Sequence, residues 1–130
     1  MSTIQRFEDL TIWKLARELA KSIFLLTKYH DFSKDYRFVA QIRASSGSAM
    51  DNIAEGFDRE GNKEFIQFLY ISKGSTNEVK SQLYRALDCE YINKEEFELN
   101  YNKATELSNK TKSFINYLRQ SELKGNKYKN

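Results

Sequence analysis

The chain contains no proline. Proline ends helices because it lacks an N–H and its ring collides with the preceding turn, so helices here are free to run long. Apolar residues recur at three- and four-residue steps over four stretches, and strand-like alternation is absent throughout. The first stretch, from about Asp9 to Tyr29, places Ile12, Trp13, Ala16, Leu19, Ala20, Ile23 and Thr27 on one face. A linker, His30-Asp31-Phe32-Ser33-Lys34, follows, with Ser33 or Asp35 as the N-cap of a second helix running to about Phe57. That helix carries Phe38, Ile42, Ala49, Ile53 and Phe57 on its core side. Asp58-Arg59-Glu60-Gly61 reads as a polar turn, with Asn62 as the expected cap of a third helix bearing Phe65, Phe68, Leu69, Val79, Leu83, Ala86 and Leu87. Asn93-Lys94-Glu95-Glu96 resembles a capping box. The fourth helix then carries Phe97, Tyr101, Ala104, Leu107, Thr111, Phe114, Ile115 and Leu118.

Long helices joined by short connections pack as antiparallel neighbours, so the expected fold is all-α, an up-down-up-down four-helix bundle. It occupies one domain over residues 1–120, followed by a polar, lysine-rich tail over residues 121–130 that is expected to fray. At 130 residues, a chain buries about two-thirds of its surface without help from metal or disulfides. The single cysteine, Cys89, forms no internal disulfide and suits a reducing cytoplasm. Met1–Phe7 is polar with no apolar signal region, and the apolar cluster Ile23-Phe24-Leu25-Leu26 is far too short to span a bilayer. The expectation is a cytoplasmic protein with no membrane partner.

Two glycines interrupt helices that are otherwise regular. Gly47 lies in Ser45-Ser46-Gly47-Ser48-Ala49 and Gly74 in Ser72-Lys73-Gly74-Ser75-Thr76, equidistant from the polar turn. Each costs about 1 kcal/mol relative to alanine, which suggests close helix approach within the subunit or between subunits. Facing residues in an antiparallel hairpin have numbers with a constant total, and Gly47 with Gly74, like Arg43 with Glu78, gives 121. This register puts the glycines roughly 20 Å from the turn and predicts an Arg43–Glu78 ion pair one turn beyond them. A second ladder on the same helix, Gln41, Ser45, Ser48, Asn52 and Glu55, is polar but nearly uncharged. It is either a solvated margin of the core or a surface ordered by hydrogen bonds to another helix, within or beyond the subunit.

Catalytic chemistry finds little support. The one histidine, His30, falls in a linker, and no Ser-His-Asp or Cys-His arrangement, phosphate loop or paired Glu-x-x-His motif accompanies it. Asp51, Glu55, Asp58 and Glu60 cluster at a helix end, where solvated carboxylates are common. A non-enzymatic protein with no catalytic residues, no metal site and no cofactor is expected. The charge balance, 21 cations against 18 carboxylates, does not announce a nucleic-acid binder. Two faces are nonetheless candidates. Lys14, Arg17, Lys21 and Lys28 line helix 1 opposite its apolar stripe, and Tyr70, Lys73, Asn77, Lys80 and Tyr84 share a face of helix 3. Cations interleaved with aromatics contact phosphates and stack on unpaired bases. The first face also fits an ordinary solvated stripe, and the second a subunit interface.

The segment Gln41-x-Arg43, Ser48, Asn52-Ile53-Ala54-Glu55-Gly56 and then Arg59 resembles the signature of the 23S rRNA intervening-sequence protein family. So do Phe65, Phe68-Leu69, Gly74-Ser75, Glu78, Gln82-Leu83 and Tyr91-Ile92, and the opening Phe7-Glu8-Asp9-Leu10-x-x-Trp13. The resemblance covers roughly residues 7 to 120. It implies a bacterial, cytoplasmic four-helix bundle assembling as a homopentamer, with a role near ribosomal RNA. The related accessory proteins of diversity-generating retroelements are similar and bind nucleic acid and a reverse transcriptase. One departure stands out: the family often carries a second arginine after Gln-x-Arg, and here that position is Ala44. The resulting expectation is a self-assembling bundle that binds RNA. The alternative is a scaffold for a protein partner without direct nucleic-acid affinity. Assembly and packing fall to Gln41, Arg43, Gly47, Ser48, Asn52, Glu55, Gly74, Ser75, Glu78 and Gln82.

Overall fold

A computed structural model describes residues 4–129, with side chains described through Ser121. Four helices follow two short 3-10 turns: α1 (Thr11–Thr27), α2 (Tyr36–Phe57), α3 (Asn62–Asp88) and α4 (Lys94–Lys129). Each helix packs on its neighbours in the chain, and α4 closes the ring against α1. This is the up-down-up-down bundle that the long apolar stripes and short turns require. Helix α4 runs on past the expected end near residue 120. The side chains beyond Ser121, and with them the expected behaviour of the lysine tail, lie outside the described residues, as do Met1–Thr3.

The core follows the helical periodicity. Ile12, Ala16, Leu19 and Ile23 of α1, Ile42, Ala49 and Ile53 of α2, Leu69, Val79 and Leu83 of α3, and Ala104, Leu107 and Ile115 of α4 are all buried in one core. The ends are fixed by local chemistry. Asp35 caps α2, accepting the Phe38 amide at 3.2 Å, and its other oxygen accepts the Tyr91 hydroxyl at 2.8 Å. Donation to that carboxylate holds the Tyr91 phenol in its protonated form and raises its pKa above the usual value. The capping box at α4 is reciprocal: Glu96 N–H donates to Asn93 Oδ1 at 2.8 Å and Asn93 N–H to Glu96 Oε1 at 2.9 Å.

Several expectations need correction. α1 begins at Thr11 because Leu10 is extended, and it ends at Thr27. Asn62 does not cap α3. Gly61, at a φ of 86°, occupies that position, and the Asn62 amide donates across to Leu118 O at 3.3 Å. The linker before α2 is itself structural, since Phe32 is fully buried and stacks with Tyr91 at 5.1 Å. Asn100 is buried on α4, where it accepts the Ser22 hydroxyl of α1 and donates to Glu96 O.

The paired glycines behave differently from the expectation of a tight internal contact. A Cβ added at Gly47 or Gly74 would meet nothing within 4 Å, so neither lies in a close approach within the subunit. The close approach is at Gly56, where an added Cβ would come within 2.6 Å of Phe68 Cβ and 2.9 Å of Phe65 Cδ1. The register itself holds. Ser72 Oγ, fully buried, donates to Ala49 O at 2.6 Å, a pair whose numbers also total 121. Gly47→Ala and Gly74→Ala are therefore expected to raise the unfolding free energy of the subunit by up to about 1 kcal/mol each, whereas Gly56→Ala lowers it by about 1–3 kcal/mol through overpacking. Urea unfolding of the three variants tests this, and a stabilising Gly56→Ala would refute the close-packing role.

Candidate assembly and nucleic-acid surfaces

Between α2 and α3 the surface opens into a polar groove of about 470 Å³. Gln41, Ala44, Ser45 and Ser48 line it from α2, and Ser75, Glu78, Gln82 and Arg85 from α3. Short side chains at Ala44, Ser45, Ser48 and Ser75 leave its floor shallow. Ser75 Oγ donates to Ser48 Oγ at 2.9 Å, and the Asn52 amide donates to Ser48 O and Oγ at 2.8 and 3.0 Å. Ser45 Oγ turns back to Gln41 O at 3.1 Å. Gln82 is only 6% exposed, and its Oε1 has no donor among the described residues. An orphaned buried acceptor costs about 1–3 kcal/mol. The groove thus gathers five of the residues assigned to packing and assembly, Gln41, Ser48, Ser75, Glu78 and Gln82, and Asn52 joins them through Ser48. Glu55 lies beyond it and pairs with Arg59 at 3.0 Å.

Arg43 is not among them, and the expected Arg43–Glu78 pair does not form. Arg43 donates from Nε to Thr27 Oγ1 of α1 at 2.8 Å and lies over the Phe24 ring at 4.5 Å. Equal height does not mean equal side. At about 100° per residue, Arg43 falls on the flank of Ile42 opposite to Ser45 and Ser48, so it faces α1 while Glu78 faces the groove.

Residues 8–113 match the model of the family described as 23S rRNA-intervening sequence protein. The chain belongs to that family. A solved structure from Bacteroides thetaiotaomicron VPI-5482, described as a protein with unknown function from the S23 ribosomal protein family, is similar to this family member with a TM-score of 0.74. The two are 26% identical over 81% of this chain and 98% of that one. No curated protein matches the chain. In this intervening-sequence family member the residues that carry the resemblance serve distinct physical roles. Gly56 and Phe68 make the tight α2–α3 contact, Ser48, Ser75 and Gln82 line the groove, and Arg43 binds α1. Ala44 lines the groove together with Glu78.

The two basic faces differ in what surrounds them. Lys14, Arg17, Lys21 and Lys28 are all exposed along α1. Arg17 lies 5.8 Å from the Trp13 ring, and Lys28 lies 5.8 Å from Phe24 and 5.9 Å from Tyr29. The α3 face borders α4, with Tyr70 45% and Tyr84 51% exposed. Tyr84 packs on Phe97 at 4.8 Å and Tyr101 at 5.6 Å, Lys80 sits 4.7 Å over Tyr101, and Arg119 covers Tyr70 at 5.2 Å. The hydrogen bond to Tyr101 raises the Tyr84 pKa. Lys73 is half-buried on the same side. Sequence reasoning missed Phe24, Phe97 and Arg119. Phe24 carried a usable signal, since it falls between Lys21 and Lys28 at helical spacing and yet stays exposed.

Among the described residues no three His, Cys, Asp or Glu side chains converge on a metal-sized site, and no helix is long and apolar enough to cross a membrane. His30 and Cys89 are both exposed. A double-mutant cycle checks the Arg43 assignment. Thr27→Val with Arg43→Met is expected to give a coupling of about 1 kcal/mol, and Arg43→Met with Glu78→Gln a coupling within about 0.5 kcal/mol of zero. Strong coupling between positions 43 and 78 would reverse it.

Proposed function

We propose that this family member is a non-catalytic bundle subunit, one domain over residues 1–120, that assembles with copies of itself through the α2–α3 groove and binds RNA on its basic surface. The observation that carries the assembly reading is the Gln82 oxygen, buried without a donor at the edge of an open polar groove. A helix of a second copy, offering a hydrogen-bond donor, satisfies it and covers the shallow serine floor. The exposed, uncrowded Gly74 and the 52% exposed Ile71 lie on the same outward side of α3, ready for such a helix. Head-to-tail contacts between identical subunits generate rings where the rotation closes, and the expected homopentamer is such a ring. The isolation of His30 and the ion pairing of Glu55 favour a binding role over catalysis. A bacterial cytoplasmic setting suits the single exposed cysteine.

The RNA part rests on the α1 face, where residues 11–28 carry four cations against one carboxylate, Glu18. Light scattering at micromolar concentration should return a multiple of the subunit mass. Ser48→Arg or Ser75→Arg, which fill the groove floor, should return the subunit mass with helical content intact. A monomeric parent protein would end the assembly reading. On the same preparation, RNA affinity is expected to fall steeply as salt rises, because phosphate contacts release counterions. An intact oligomer without RNA affinity at low salt points instead to a scaffold or accessory subunit for a protein partner.

A further inference from the structure

We propose that the α1–α2 seam at Phe24 is where this protein grips an unpaired RNA strand, a base stacking on the Phe24–Arg43 pair and the flanking phosphates meeting Lys21 and Lys28. This deepens the RNA reading above and rests on it. A lone exposed phenylalanine needs no explanation, but this one is framed by cations. Phe24 is 44% exposed, Arg43 reaches over from the next helix to lie 4.5 Å from its ring, and Lys28 approaches within 5.8 Å.

The arrangement is fixed before any ligand arrives. Thr27, buried beneath it, accepts from Arg43 Nε at 2.8 Å and donates to Phe24 O at 3.0 Å, tying guanidinium and ring segment to one hydroxyl. A planar guanidinium held against a ring stacks on a base and keeps its other N–H groups for phosphate. No carboxylate lies within ion-pair distance of Arg43, Lys21 or Lys28 among the described residues. Glu18, the one acid on α1, falls about 120° around the helix from Phe24 by the helical step. The neighbouring surface is also uncovered. Gly47 follows Arg43 by one turn on the same flank of α2, and an added Cβ there would touch nothing within 4 Å.

The α3–α4 seam is the weaker stacking platform. Tyr84, Phe97 and Tyr101 are packed on one another, so ring faces there are taken up within the seam. A base held within a duplex is stacked on its neighbours and does not reach such a platform, so the site selects single strands.

Fluorescence anisotropy with a short oligouridine strand and an RNA duplex of equal length tests the inference at low salt. The parent protein is expected to favour the single strand. Phe24→Ala should weaken strand binding about tenfold without changing the salt slope, since stacking carries no counterion term. Phe24→Tyr should restore it. Lys28→Gln should make the slope shallower by about 0.7, a readout that survives if the alanine variant folds poorly by circular dichroism. Equal or tighter duplex binding overturns the proposal, as does parental affinity in Phe24→Ala. Loss confined to Tyr70→Ala or Tyr84→Ala moves the site to α3 and sinks this inference alone. No binding of either RNA by the parent protein removes the RNA reading itself.

Discussion

The α2–α3 contact is the constraint from which the rest of the molecule follows. Ser72 donates to the Ala49 carbonyl inside the core, and near the turn Gly56 lets the Phe65 and Phe68 side chains approach to a distance that a methyl group would forbid. A buried hydroxyl must find a partner or cost about 1–3 kcal/mol, so sliding the helices by one turn loses the bond and collides at Gly56 together. Two contacts far apart along the hairpin resist the same slip. With that register fixed, small residues meet at the outer margin of the pair, and the polar groove is a consequence of their size.

Most of the fold was legible because it rests on periodicity. The four stripes, the closing order of the helices and the Asn93–Glu96 capping box were all readable from residue spacing. The glycines show where spacing stops being informative. Matching height along a hairpin says nothing about azimuth, and both Gly47 and Gly74 point away from the interior while Gly56, nearer the turn, makes the tight contact. The same confusion of height with side produced the Arg43–Glu78 expectation. Phe32 and Asn100 escaped notice for another reason: one lies in a segment with too few residues to show a period, and the other is a polar residue whose burial depends on a partner in a distant helix.

The candidate surfaces were legible as residue types and less so as places. Gln41, Ser48, Ser75 and Gln82 do converge, since two ladders in register must share a groove. Tyr70, Lys80 and Tyr84 share a helix face as expected, but α4 supplies Phe97, Tyr101 and Arg119 to that face, which no pattern within α3 announces. Phe24 was hidden in an apolar cluster that reads first as core.

α2 separates the two proposed activities by geometry. Its flank toward α3 carries Gln41, Ser45 and Ser48, and its flank toward α1 carries Arg43 and Gly47. Between the flanks lie exposed outward residues, Ala40, Asp51 and Glu55 among them. The proposed groove contact and the Phe24 seam thus use different flanks of α2. In a closed ring the seams repeat at a fixed interval, and a single strand long enough to touch several gains from each added contact through effective concentration rather than from any tighter individual site. Weak stacking on one phenylalanine is then sufficient for retention of a long strand.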